Sequence, residues 1–339
     1  MARVLFLTST LMMPFVAHDH QILSSAHDVR TALRSKLPKR RLWLPRVARE
    51  LRRGVDLVFV WFADPWDIAW ITGMAKAVGA RVIVVTGGYD TTWVSAIGYG
   101  QMHNEARRRK LRHALDRADR ILPFSEHAAL EARALGIQTP IEVLYPGVNP
   151  DFHTPGDDDK EPLAITVGTV SRFVWKRKGL DQFARVARRV PNVRFVLVGQ
   201  IAEPAVAEVL RSLSGGRLEL TAERVSDEQL RGWYRRAAVY AQLSAHEGFG
   251  LALAESMACG ALPVVAERGS IPEVVGPIGR RVPYADVDGA AAAVARLVHG
   301  GDAARHAARR RIVERFPLQH RHDRLLEIVD EVLQGRSRH

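Results

Sequence analysis

The stretch His246-Glu-Gly-Phe-Gly-Leu-Ala-Leu-Ala-Glu-Ser-Met-Ala-Cys-Gly-Ala-Leu-Pro-Val-Val265 decides how the rest of the chain is read. Gly248-Phe249-Gly250 forms a turn that opens a short helix of small residues. Gly260 closes that helix, and a buried strand begins at Leu262. The glycines let backbone N–H groups approach a ligand closely, and the helix start favours an anion there. Glu247 stands in the loop before the helix and Glu255 within it. Their neighbours are apolar, and acids are rarely buried without a partner. The pair is therefore read as gripping two hydroxyl-bearing ends of one ligand whose charged middle rests on the helix start. Ribose, pyrophosphate and sugar in a nucleotide-sugar have that shape. A solvated surface pair is the bland alternative, and a glycosidase dyad is the chemical one. A dyad needs its carboxyls roughly 5–9.5 Å apart, whereas eight residues of mostly helical chain rise about 12 Å.

Composition sets the outer bounds. A chain of 339 residues exceeds one ordinary core, so two domains are expected. The one cysteine, Cys259, excludes an internal disulfide and fits a reducing compartment; its small, apolar helix makes it a core thiol. The apolar run at Met1–Thr8 is too short for a signal peptide or a membrane span, so a cytoplasmic location is expected. A net charge of +12 calls for an anionic partner: nucleotide phosphates, a membrane surface or a nucleic acid. Between Arg30 and Arg53 lie ten Lys or Arg and one acid, Glu50, interrupted by Leu42-Trp43-Leu44. Residues 30–53 are thus either a peripheral membrane contact on the inner face or an arginine-rich solvated helix face. A second basic run, Arg107–Arg112, reads as a helix face. No nucleic-acid motif is visible, and no nucleic-acid partner is expected.

Short apolar runs alternate with helical patterns along the chain, which predicts parallel sheets flanked by helices. In the first half the runs are Val4–Leu7, Leu57–Trp61, Arg81–Val85, Arg120–Pro123 and Ile141–Leu144, with helices near 19–26, 66–78, 104–116 and 126–135. Pro, Gly and acids then cluster from Tyr145 to Lys160, and the alternation restarts at Leu163. The expected division is a first domain over 1–152, a linker over 153–162, a second domain over 163–316 and a helical segment over 317–339. Ser226-Asp-Glu-Gln229 reads as a capping box, and Ser270-Ile-Pro-Glu273 as a second cap. His18-Asp-His20 is spaced poorly for one helix face, so Asp19 is read as an acid near a helix start. Asp157-Asp-Asp159 is read as solvated. The economical architecture is two Rossmann-like, doubly wound α/β domains facing across a cleft, with the ligand at strand C-terminal ends.

These motifs resemble glycosyltransferase family 4, the retaining sugar transferases of GT-B fold. The likeness covers nearly the whole chain and is densest from about Ile141 to Gly279. It rests on the Glu-x7-Glu stretch, on Thr166-Val-Gly-Thr-Val-Ser-Arg-Phe-Val-Trp-Lys-Arg-Lys-Gly179, and on Val-Leu-Tyr-Pro-Gly-Val-Asn-Pro-Asp-Phe152. The resemblance implies a hexose moved from a UDP- or GDP-sugar to a carbohydrate, lipid-linked or small-metabolite hydroxyl, with no metal or other cofactor. It assigns Arg172 and Lys178 to the pyrophosphate, Glu255 to the ribose hydroxyls, and Glu247 to the donor sugar and the positive charge at its anomeric carbon. The backbone of Gly248, Phe249, Gly250 and Leu251, and Gly199 after its strand, would line the donor. The final helix, from about Leu318, would cross back to the first domain.

The first domain departs from the family pattern. The usual Gly-Gly loop is replaced by Ser9-Thr-Leu-Met-Met-Pro-Phe-Val-Ala17, and the family's His before Gly by Gly87 in Thr86-Gly-Gly-Tyr-Asp90. Gly87, Tyr89 and Asp90 are candidates to line the acceptor side, Asp90 being equally readable as a turn residue. Two rivals remain at this level: a nucleotide-sugar epimerase or hydrolase of the same architecture, and a non-catalytic anion- or nucleic-acid-binding protein.

Overall fold

The structure, a computed structural model, describes residues 1–9, 13–33, 40–157 and 159–335, excepting the side chains of 40–42. Thr10–Met12 of the first loop, residues 34–39 of the basic segment and Asp158 lie outside the described residues. The chain forms two compact units, one of Met1–Pro146 with Gln319–His339 and one of Gly147–Leu318.

Unit 1 is built on five parallel strands: β1 (Arg3–Thr8), β2 (Asp28–Leu33), β3 (Leu57–Trp61), β4 (Arg81–Thr86) and β5 (Arg120–Pro123), in the order β2-β1-β3-β4-β5. β3 is buried along its whole length, because helices cover both faces of a parallel sheet. The helices are α1 (Pro14–Ala26), α2 (Arg40–Arg52), α3 (Pro65–Ala77), α4 (Glu105–Leu115) and α5 (Glu126–Ala134). Asp64, Asn104 and Ser125 cap the last three by accepting first-turn N–H groups.

Unit 2 carries six parallel strands: β6 (Glu161–Val167), β7 (Arg194–Val198), β8 (Leu218–Leu220), β9 (Ala237–Gln242), β10 (Leu262–Ala266) and β11 (Arg280–Val282), in the order β11-β10-β9-β6-β7-β8. Its helices are α6 (Arg172–Trp175), α7 (Leu180–Arg189), α8 (Pro204–Ser214), α9 (Asp227–Arg236), α10 (Leu251–Ala258), α11 (Ile271–Val275), α12 (Val287–Leu297) and α13 (Asp302–Arg315). α14 (Leu318–Leu333) returns the chain to unit 1. Two parallel-sheet α/β units are what the alternation of apolar runs predicts. The box at Ser226 also forms: its side chain takes the Gln229 N–H, and the Gln229 side chain takes the Ser226 N–H.

Several sequence readings are corrected. Ile141–Leu144 is not a strand; Ile141 makes one parallel bridge to Ile121. Trp43, which suggested a headgroup contact, is 4% exposed and packs with Val47 and Leu51, because an apolar face at four-residue spacing turns α2 toward the core. Arg30 lies in β2 and donates to the Gly54 carbonyl and to Glu50. Asp19 sits inside α1, fully buried, and its two oxygens accept Arg321 Nε at 2.6 Å and Nη2 at 2.7 Å. Arg321 Nη1 also donates to the carbonyls of Leu144 and Tyr145. The Asp19 partner is therefore a guanidinium of α14 and not a helix end.

The Pro- and Gly-rich segment read as a linker is bonded into unit 2. Arg309 donates to the carbonyls of Pro150, His153 and Ala258, and Arg235 to that of Thr154. Lys160 Nζ donates to the Tyr234 and Cys259 carbonyls, capping the ends of α9 and α10. Among the described residues no helix is long and apolar enough to cross a membrane.

Candidate active site

The loop after β9 and the turn before α7 bring the candidate groups of unit 2 together. At Gly179 φ is +64°, and a Cβ there would stand 2.0 Å from the Leu243 carbonyl oxygen. Only glycine lets this turn press so closely on the loop after β9. The Ala245 N–H then donates to the Arg177 carbonyl at 2.7 Å, which fixes the two segments in register. Arg177 and Lys178 consequently reach Glu247. Arg177 Nη1 lies 2.9 Å from Glu247 Oε2, and Lys178 Nζ 3.4 Å from Oε1. Oε1 also accepts Gln242 Nε2 at 2.9 Å and Ser244 Oγ at 3.0 Å.

The electrostatics follow from this packing. Burial alone would raise the Glu247 carboxyl, but Arg177 and Lys178 beside it hold it down at about 2. Burial pulls the Lys178 ammonium below its ordinary value against the attraction of Glu247. Glu255, inside α10, behaves in the opposite way. Burial pushes its carboxyl up to about 7, even though the Tyr234 hydroxyl donates to it at 3.0 Å. His153 Nε2 stands 4.0 Å from its other oxygen. Two carboxyls on either side of one helix start thus differ in charge near neutrality: one is a fixed anion and one is poised.

At Gly250, which opens α10, φ is +97°, and an added Cβ would meet Ile271 Cδ1 at 2.8 Å. A side chain there would close the approach to the first-turn N–H groups, which have no partners within the helix. The Phe249 side chain is buried, edge-on to Phe316, so it anchors the turn while Gly248 and Leu251 stay partly open. The Ser270 hydroxyl does not cap α11 as expected; it donates at 2.9 Å to the Glu247 carbonyl and braces the same loop. Gly199 closes β7 with its N–H on Thr221 Oγ1.

Arg172 is the candidate that the structure does not bring to this cluster. Its side chain is 79% exposed and pairs with Glu203, which also accepts its backbone N–H. Arg177, read from sequence as a bystander, stands on Glu247 instead, because the glycine turn aims it inward. Lys176 pairs with Asp181 on the surface. Tyr234, Gln242, Ser244 and His153 were not anticipated either; each sits outside the Glu-x7-Glu stretch and arrives through the fold. In unit 1, Asp90 is 1% exposed and accepts the Gly87 N–H at 2.8 Å; burial pushes its carboxyl up to about 6. It closes its own turn, the bland alternative named for it. Tyr89 is partly exposed and lies edge-on to Tyr99.

Comparison with known proteins relates both units to glycosyltransferases. A profile described as Glycosyltransferase Family 4 matches residues 4–152, and one described as Glycosyl transferases group 1 matches residues 164–300. A GDP-mannose-dependent alpha-(1-6)-phosphatidylinositol monomannoside mannosyltransferase of Mycolicibacterium smegmatis is 29% identical over 282 residues, 75% of this chain and 71% of that protein. A D-inositol 3-phosphate glycosyltransferase of Mycolicibacterium gilvum is 33% identical over 178 residues, 48% of this chain and 40% of that protein. Among solved structures, a sucrose-phosphate synthase from Thermosynechococcus elongatus superposes with a TM-score of 0.79 at 16% identity, covering 98% of this chain and 100% of the other. Anabaena HepE in complex with UDP and glucose gives 0.76 at 15% identity, covering 98% and 100%. The structural likenesses establish the GT-B fold. With both units matched by profiles and the Glu-x7-Glu loop gathered around Lys178, the chain belongs to glycosyltransferase family 4.

Proposed function

We propose that this glycosyltransferase moves a hexose from a uridine or guanosine diphosphate sugar to a hydroxyl acceptor, with retention of anomeric configuration and without a metal. The observation that supports it most directly is Glu247, kept ionised by Arg177 and Lys178 at the open start of α10. Lys178 has lost hydration and leans on one carboxylate. An arriving diphosphate offers it a second anion, and the α10 N–H groups offer that diphosphate neutral donors. As the bond from the anomeric carbon to the phosphate oxygen breaks, negative charge grows on the leaving diphosphate. Lys178, Arg177 and the helix start are attracted more strongly to that state than to the bound donor, which is how they accelerate the step. The acceptor oxygen bonds to the anomeric carbon on the face that the phosphate leaves, and its proton passes to a phosphate oxygen. Glu247 opposes the positive charge developing on the sugar, and Glu255 accepts ribose hydroxyls. The cited mycobacterial relatives are named for inositol phosphate and phosphatidylinositol mannoside, which supports a polyol or lipid-linked acceptor.

A thermal-shift panel of nucleoside diphosphates and their sugars tests this reading. One base should stabilise the protein, and Lys178→Ala should weaken that ligand about ten- to hundredfold, the worth of one charge-assisted contact. A wild-type protein indifferent to the whole panel would refute the proposal.

Glu255 supplies a pH signature. Its folded value is raised from 4.5 to about 7, so the native state keeps a proton that the unfolded chain has already lost in that window. Stability therefore falls as pH rises from 4.5 to about 7, and the penalty is fully present above 7. Glu255→Gln removes it, and should stabilise the protein at pH 8 by on the order of 3 kcal/mol while gaining little at pH 4. Affinity for the nucleotide-sugar, whose doubly esterified diphosphate has no proton to gain near pH 6, should fall below pH 7 in the wild type, as the carboxylate is lost, and stay flat and weaker in the variant. A pH-dependent affinity surviving in Glu255→Gln would remove Glu255 from the ribose role.

A further inference from the structure

Helix α3 leaves two tryptophans in water. Trp66 is 51% exposed and Trp70 60%, four residues apart and so on one face of the helix. Gly73, Ala77 and the partly exposed Val78 continue that face, while Ile68, Ile71 and Ala75 turn to the core. Isolated exposed apolar residues need no explanation, but two adjacent indoles on a rigid helix form a patch that asks for an occupant.

The surroundings of the patch say which one. α4 packs beside α3 and carries five cations in the six positions from Arg107 to Arg112. Lys110 Nζ stands 3.0 Å above the Trp66 ring. The Arg117 guanidinium lies next to Gly73, where an added Cβ would be 3.7 Å from it. Arg108, Arg109 and Arg112 instead line a separate hollow between α4 and α5, so the cations at the patch itself are Lys110 and Arg117. Of the nearby acids, Asp64 accepts the Trp66 and Asp67 N–H groups as the cap of α3, Asp67 is buried, Asp119 is taken by Lys76 and Arg81, Glu105 lies with Arg108, Arg109 and Arg112 in the hollow toward α5, and Asp116 accepts the Gln138 N–H. The patch is thus an indole pair bordered by cations. Pairing it with a second copy would set like charges face to face. An interfacial lipid layer suits both parts: indoles partition to headgroup depth, and Lys and Arg meet the phosphates.

We propose that unit 1 docks on an anionic lipid surface through the outer face of α3, with Trp66 and Trp70 as the apolar anchors and Lys110 and Arg117 as the electrostatic ones. The basic segment 30–53, suggested by sequence for such a contact, has its own indole in the core; the exposed indoles lie on the next helix. The assignment does not depend on the donor chemistry of unit 2, and its failure would leave that reading untouched.

The test is flotation of the full chain with vesicles of phosphatidylcholine alone or mixed with phosphatidylglycerol. The wild type should float with the mixed vesicles, shift its tryptophan emission to the blue, and be released by high salt. Trp66→Ala/Trp70→Ala, at exposed positions that the fold does not need, should weaken vesicle binding about tenfold or more. Nucleotide binding by the same variant should be unchanged. Absence of wild-type binding to the mixed vesicles, or equal binding by the variant, would overturn the proposal. So would a self-association lost in the variant while vesicle binding persists, since the patch would then belong to a dimer.

Discussion

Arg321→Ala is expected to lower the unfolding free energy of unit 1 by about 3–5 kcal/mol, the cost of leaving a buried charge without its counter-charge. Arg321 and Asp19 are both inaccessible to water, and the guanidinium meets the carboxylate through two hydrogen bonds. It also satisfies the Leu144 and Tyr145 carbonyls, so its removal orphans three groups together. Burial pushes the Asp19 carboxyl up against the pull of Arg321. In the variant it would take up a proton and lose its anionic role altogether. Asp19→Leu combined with Arg321→Met should recover much of the loss, because two apolar groups of similar size do not need each other. Urea titration of the wild type, Asp19→Leu, Arg321→Met and the double variant measures the coupling. A coupling energy near zero would show that the pair is not what ties α14 to unit 1.

Glu247→Ala should slow turnover about a hundred- to thousandfold, the scale on which one fixed charge or donor at a reacting centre acts. Affinity for the nucleoside diphosphate should change by no more than a few-fold, and in the direction of tighter binding. Glu247 is an internal anion that already engages Arg177 and Lys178; without it both cations are released to the diphosphate. Because its carboxyl lies at about 2, the loss should be the same at every pH from 5 to 9. Glu247→Gln separates charge from shape: it keeps an acceptor for Gln242 and Ser244 and loses only the anion. Weakened nucleotide binding with normal turnover in Glu247→Ala would reverse the roles assigned to the two glutamates.

The central strands of both sheets were legible because a strand covered on both faces has no polar side to confuse the pattern. Leu57–Trp61 and Leu262–Ala266 read as unbroken apolar runs for that reason. Of the edge strands only Arg120–Pro123, buried along its length, was read; the others escaped. Asp28–Leu33 and Arg280–Val282 are partly exposed, carry arginines, and look like the helix faces around them. The Glu-x7-Glu loop could be read because all its parts are local. The identity of its cationic partner could not. Arg172 and Arg177 are equally good candidates by type and distance, and the choice is made by a left-handed glycine pressed on a carbonyl far along the chain. Ser270 was misread for a related reason, its hydroxyl being taken by the Glu247 carbonyl and not by its own helix. The Asp19–Arg321 pair spans 302 residues, beyond the reach of any local periodicity.

That separation has a consequence for biosynthesis. The five strands of unit 1 leave the ribosome long before α14 does, and at roughly 5–20 residues per second the wait between Asp19 and Arg321 is roughly 15–60 s. During that interval Asp19 has no guanidinium to meet it, and the carbonyls of Leu144 and Tyr145 lack their donor. Unit 2 is continuous and unit 1 interrupted, so native unit 2 should be protease-resistant in released chains that end at Leu318.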